Sequence, residues 1–154
     1  MPADPVPFQT LRLACRPPGD SSAQVYAALF GPQGADLLAS DRTEWCNHGV
    51  APWTLSHAGH DVGIGGFRIG YARGGLELRM DLLPDVRGQG LASEFVTEAL
   101  DYAAEVLRET DVFAAVGQEH ATAAWVLKKN GFRPDPRGSD DATPDITVLR
   151  RTLR

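Results

Sequence analysis

The residues with the most chemical spacing in this chain are Leu82-Leu83-Pro84-Asp85-Val86-Arg87-Gly88-Gln89-Gly90-Leu91-Ala92. An apolar strand runs into an Arg-Gly-Gln-Gly turn, and the turn opens a long amphipathic helix. Glycines at positions 88 and 90 let the backbone bend so that several N–H groups point into one concavity. The helix start adds its own unpaired N–H groups and a positive dipole end. Such a turn can seat a diphosphate or another anion. Taken alone, the same four residues also describe a plain tight bend.

The elements around this turn follow from periodicity. Residues 1–8 are proline-rich and read as a loose arm ahead of a single domain over 9–154. Gln9 to Cys15 alternates, with Leu11, Leu13 and Cys15 on one side, and predicts a first strand. Arg16-Pro17-Pro18-Gly19-Asp20 breaks it. Asp20 or Ser21 can cap a helix reaching Phe30, which Gly31-Pro32 stops. A shorter helical piece is predicted over Ala35 to Ser40. Val50 to Ser56, Val62 to Tyr71 and Leu76 to Leu83 read as a meander with turns at His57-Ala58-Gly59-His60 and Ala72-Arg73-Gly74-Gly75. In its last strand Leu76, Leu78, Met80 and Leu82 alternate with Glu77, Arg79 and Asp81. From Gln89 to about Thr110 the period becomes helical, with Leu91, Phe95, Ala99, Ala103 and Val106 in one stripe. Val112 to Val116 reads as a short buried strand, and Glu119 to Asn130 as a second helix closed by Gly131. Phe132 begins an exit strand, and Ile146 to Leu153 forms the last one. This order predicts an α/β fold: a mixed, mostly antiparallel central sheet with helices on both faces.

Bulk properties narrow the class. The chain has 154 residues, 43% hydrophobic and 23% charged, as expected of one globular domain with a proper core. Net charge is −5 and the sequence pI about 5.3, which argues against a generic nucleic-acid binder. No apolar run approaches the roughly 18 residues of a membrane span. Met1-Pro2-Ala3-Asp4-Pro5 lacks the regions of a signal peptide, so a cytoplasmic protein is expected. Cys15 and Cys46 lie far apart without metal-ligand spacing and read as two reduced thiols. His57 and His60 straddle a turn without partner carboxylates, so no metal site is expected.

Two motifs in the right order carry a family resemblance. Arg87-Gly88-Gln89-Gly90-Leu91-Ala92 fits the acyl-CoA signature of the GNAT acetyltransferase superfamily: Arg or Gln, two residues, Gly, one residue, then Gly or Ala. His120-Ala121-Thr122-Ala123-Ala124-Trp125-Val126-Leu127-Lys128-Lys129-Asn130-Gly131-Phe132 resembles that family's late helix. Thr10-Leu11-Arg12-Leu13 followed by Arg16-Pro17-Pro18 is similar to the opening of the RimJ/RimL-like branch. So is His48-Gly49-Val50-Ala51-Pro52-Trp53-Thr54-Leu55 to its second strand. The resemblance spans nearly the whole chain.

It implies acetyl-CoA as co-substrate, no metal, and transfer of an acetyl group to a primary amine of a protein N-terminus or a small molecule. The CoA pyrophosphate would rest on the backbone of Arg87, Gly88, Gln89, Gly90, Leu91 and Ala92. Backbone groups of Leu82 and Leu83 would meet the pantetheine arm and the thioester oxygen. His120 stands where the family usually has Asn and would contact CoA. Trp53 and His48 fall in the region that lines the acceptor site, together with Trp45, His57 and His60. Glu77 is the implied proton acceptor and Asp81 its reserve; the alternative for Glu77 is a solvated or Arg79-paired carboxylate. Position 123 often carries Ser, and position 127 Tyr, to protonate the leaving thiolate. Ala123 and Leu127 cannot do this. A second reading therefore stands beside the enzyme: an acyl-CoA-binding module with little or no catalysis. Related proteins often pair, so a homodimer is one implied assembly.

Overall fold

A computed structural model of the chain describes residues 8–70, 75–117, 121–135 and 146–153. Eight strands form one sheet: β1 (Phe8–Gln9), β2 (Ala14–Arg16), β3 (Pro52–His57), β4 (His60–Ile69), β5 (Leu76–Leu82), β6 (Asp111–Gly117), β7 (Arg133–Pro134) and β8 (Ile146–Thr152). Their spatial order is β1-β2-β3-β4-β5-β6-β8-β7. Every pairing is antiparallel except β5 with β6. The helices are α1 (Ala23–Phe30), α2 (Gly34–His48), α3 (Leu91–Glu105) and α4 (Ala121–Lys129). The expected mixed, mostly antiparallel sheet with flanking helices is the fold observed.

Helix α3 forms because its apolar residues keep helical spacing. Leu91, Phe95, Val96, Ala99, Leu100 and Ala103 are all buried. Phe95 reaches the sheet over Gly65, where an added Cβ would come within 2.8 Å of the ring. Val126 and Leu127 of α4 join the same core. On the opposite face Val25 and Tyr26 of α1 and Leu38 of α2 pack round Ile64. Val106, expected in the α3 stripe, is 58% exposed. It follows the last helical residue, and the chain turns away through Arg108 at φ +60°.

Two N-terminal expectations change. Gln9–Cys15 is not one strand but a hairpin, with Phe8 opposite Cys15. The Thr10 amide donates to the Leu13 carbonyl at 2.8 Å, and the Thr10 hydroxyl accepts the Leu13 amide at 3.1 Å. Leu11 is thereby left at the tip, 92% exposed. Helix α2 is also far longer than Ala35–Ser40. It continues through Asp41 and Trp45 to Gly49, a left-handed cap whose amide donates to the Trp45 carbonyl. A buried Asp41 breaks the apolar stripe that would have announced the extension.

Trp53 is 1% exposed and has Phe8, Tyr102, Trp45 and Phe95 around it, at ring-centroid distances of 4.4, 5.0, 5.7 and 6.5 Å. It is a core residue, not part of an acceptor wall. Trp53→Ala should cost about 3–5 kcal/mol, the usual loss for a large aromatic in a packed core. Urea unfolding measures this; a loss below about 1 kcal/mol would contradict the packing role.

Candidate active site

Strand β5 turns one face to α3 and the other to α1. Leu76, Leu78 and Leu82 are buried with α3 in the main core. Glu77, Arg79 and Asp81 alternate with them and stay half-buried. Across the antiparallel pair with β4, Glu77 stands opposite Arg68 and Asp81 opposite Ile64. Asp81 also lies 4.0 Å from Arg79. Both candidate carboxylates therefore look toward α1 and α2.

The parallel pair is short. β5 and β6 match only at Leu76–Val112 and Glu77–Phe113. β5 then runs on to Leu82 and β6 to Gly117 without pairing to each other among the described residues. The result is a wedge-shaped gap in the sheet, with Glu77 at its apex. Asp81, four residues on, is roughly 13 Å nearer the mouth at 3.3 Å per residue.

Backbone polarity in the gap follows from alternation. The Leu83 amide donates to the Val62 carbonyl at 2.8 Å, so odd-numbered groups of this strand point to β4. Those of Leu78, Met80 and Leu82 then point into the gap. Of the expected pair, Leu82 alone turns its backbone to the opening, while Leu83 spends its N–H on β4. The Leu82 carbonyl is itself capped: Arg87 donates to it from Nε at 3.2 Å and from Nη2 at 3.1 Å.

Just beyond, the chain makes a short turn of 3₁₀ helix over Pro84–Val86 and enters the glycine turn. Gly88 and Gly90 both sit at φ +80°, where side-chain-bearing residues are strained. Nothing described lies within 4 Å of where a Gly88 Cβ would be. Gly90 is the N-cap of α3, so the amides of Leu91, Ala92 and Ser93 have no partner within the helix. An open concavity lined by backbone donors at a helix N-terminus fits a diphosphate.

The turn is held by residues some eighty positions away in sequence. Glu94, in the first turn of α3, accepts from the Thr10 hydroxyl, from the Arg12 amide at 2.8 Å and from Arg12 Nε at 2.7 Å. Arg12 Nη1 donates to the Gln89 carbonyl at 2.9 Å. Burial would raise the Glu94 pKa, but these donors outweigh it and hold the carboxyl below its usual range. Burial, with Glu94 nearby, pushes the Cys15 thiol up to about 12, which keeps it unreactive.

Behind Glu77, Arg68 Nη2 donates to Asp41 at 3.1 Å, and the Tyr26 hydroxyl donates to the same oxygen at 2.6 Å. Burial raises the Asp41 pKa, opposed chiefly by Arg68. His48 ends α2 on the surface, 3.8 Å from Glu44. His57 Nδ1 lies 3.1 Å from the Arg12 carbonyl. Ala123 and Leu127 offer no proton. His120 lies outside the described residues.

Residues 16–133 match the acetyltransferase (GNAT) domain family. The chain belongs to the GNAT acetyltransferases. This GNAT chain resembles solved structures across nearly its full length. An acetyltransferase from Agrobacterium tumefaciens str. C58 is 22% identical, with TM-score 0.82 over 94% of this chain and 93% of that one. RimJ from Mycobacterium smegmatis, solved in complex with CoA-disulfide, is 16% identical, with TM-score 0.77 over 96% and 88%. A spermidine N-acetyltransferase chimera of Vibrio cholerae SpeG and hSSAT is 16% identical, with TM-score 0.72 over 92% and 96%. No curated protein sequence matches the chain. Members of the GNAT family use acetyl-CoA, and the donor-lined concavity at Gly88–Ser93 suits its diphosphate. No helix among the described residues is long and apolar enough to cross a membrane.

Because its folded pKa is depressed, Glu94 stabilises the fold above the ordinary glutamate value, about 4.3. That contribution is lost as pH falls through the depressed value. The stability gap between wild type and Glu94→Gln should thus be widest above about pH 5 and narrow as pH falls below the ordinary glutamate value and through the depressed one. Urea titrations across this range measure it; a gap independent of pH would show that the carboxylate charge is not what holds the hairpin.

Proposed function

We propose that this chain is an acetyl-CoA-dependent N-acetyltransferase of the RimJ/RimL-like type, acting on a primary amine of a protein N-terminus or a small molecule. One observation carries the reading: a carboxylate, Glu77, stands at the apex of a gap whose mouth adjoins the glycine turn. Acetyl-CoA, when bound, supplies the acetyl group as an activated thioester. The turn from Arg87 to Ala92 holds the diphosphate through backbone donors. The gap-facing amide of Leu82 is placed to stabilise negative charge on the acyl oxygen. The face of the sheet under α1 and α2, where Glu77 lies, receives the amine.

An α-amino group has a pKa of about 7.7–8.0 and a lysine about 10.4, so an amine must lose a proton to attack. Glu77 takes that proton through a file of waters along the gap, since Leu82 lies five residues nearer the mouth. The new N–C bond forms as the C–S bond breaks, and the departing thiolate takes its proton from water. A thiol with a pKa near 8.5 leaves without a dedicated acid, so Ala123 and Leu127 slow the step without forbidding it. Arg68, cross-strand from Glu77 and tied to Asp41, keeps a cation beside the carboxylate.

The absence of a hydroxyl at 123 and 127 favours a second reading, an acyl-CoA-binding module with little turnover. Release of free CoA with a panel of amines separates the two. Glu77→Gln should lower kcat by about 10²–10⁴ and remove the acid limb of the pH–rate profile while CoA affinity holds. Tight acetyl-CoA binding with no turnover on any amine would instead establish the binding module. An unchanged pH–rate profile would remove Glu77 from the mechanism.

A further inference from the structure

We infer that Arg12, at the tip of the β1–β2 hairpin, is a positioning residue that fixes the glycine turn in its anion-accepting shape. The inference rests on the reading that this turn takes the CoA diphosphate. It begins with the peptide plane. In a trans peptide the carbonyl of one residue and the N–H of the next point in opposite directions. Arg12 Nη1 holds the Gln89 carbonyl at 2.9 Å, so the Gly90 N–H is turned the other way, toward the side of the turn that Arg12 leaves open.

That constraint is needed because the turn is soft. Gly88 and Gly90 both lie at φ +80°, and glycine populates either sign of φ almost equally. The peptide between Gln89 and Gly90 has no side chain of its own on the glycine side to resist rotation. If it turned over, a carbonyl oxygen would face the ligand's phosphate oxygens in place of a donor.

The guanidinium has a second task. Glu94 is a carboxylate in the first turn of α3, beside the same seat, and its side chain is 16% exposed. Paired with Arg12 Nε at 2.7 Å, it is neutralised; unpaired, it would repel a diphosphate. Arg12 Nη2 also lies 3.4 Å from where a Gly90 Cβ would stand, so the cation is packed against the turn. The Thr10–Arg12 segment thus acts on a site some eighty residues away.

Calorimetric titration with CoA tests this. Arg12→Ala should weaken CoA binding about 10- to 100-fold, as loss of charge-assisted hydrogen bonds implies. In turnover assays KM for acetyl-CoA should rise while kcat changes little. Adding Glu94→Gln to Arg12→Ala should recover part of the affinity by removing the bare charge, whereas damage to the fold alone would grow worse. Should Arg12→Ala fail to fold, Arg12→Lys carries the test: it keeps the charge but cannot bridge Gln89 and Glu94, and should bind less tightly than wild type. Unchanged CoA affinity in a folded Arg12 variant would overturn the positioning role while leaving the diphosphate seat intact. No CoA binding by the wild type would overturn both.

Discussion

Strands β5 and β6 share two residue pairs and then part. In a parallel sheet each further pair would have satisfied two strands' hydrogen-bonding groups, so leaving them apart has a cost that the rest of the fold must manage. Antiparallel partners on the outer sides, β4 and β8, hold each strand straight through the region where they separate. Arg87 caps the last exposed carbonyl of β5. With that acceptor occupied, the opening offers donors at its mouth, the polarity that an acyl oxygen and phosphate oxygens require.

Much of the structure around the opening was legible in the residues, because it is built on local periodicity. The alternation from Leu76 to Leu82 and the helical stripe from Leu91 to Ala103 both appear as read, and the glycine turn lies between them. What could not be read depends on partners distant in sequence. Trp53 in a run of strand residues looks the same whether it meets solvent or four other rings. Asp41 interrupts the apolar face of α2 and hides its extension past Ser40, and Tyr26 and Arg68, from two other elements, make a buried carboxylate tolerable there. Arg12 was invisible as a site residue for the same reason: its partners are Gln89 and Glu94.

Charge in this acidic chain is organised into a few joints that lock edges. Arg16 makes a two-pronged pair with Asp61, joining β2 to β4 across β3. The hydrogen bond between them is the main cause of both shifts: it raises the Arg16 pKa and holds Asp61 below the usual carboxylate range. Arg150 bridges Asp135 and Asp111 at the opposite edge of the sheet. In each joint an arginine spans two elements, which suits a side chain whose planar fork keeps its geometry when partly buried.

The Thr10–Arg12–Glu94 junction also sets a timetable. Its partners are separated by 82 positions between Arg12 and Glu94, so closing it means closing most of the chain. During synthesis the hairpin emerges first and must wait, unlatched, until α3 exists. Local elements such as the β3–β4 hairpin need no such wait. The glycine turn therefore takes its final shape only once the hairpin and α3 have met.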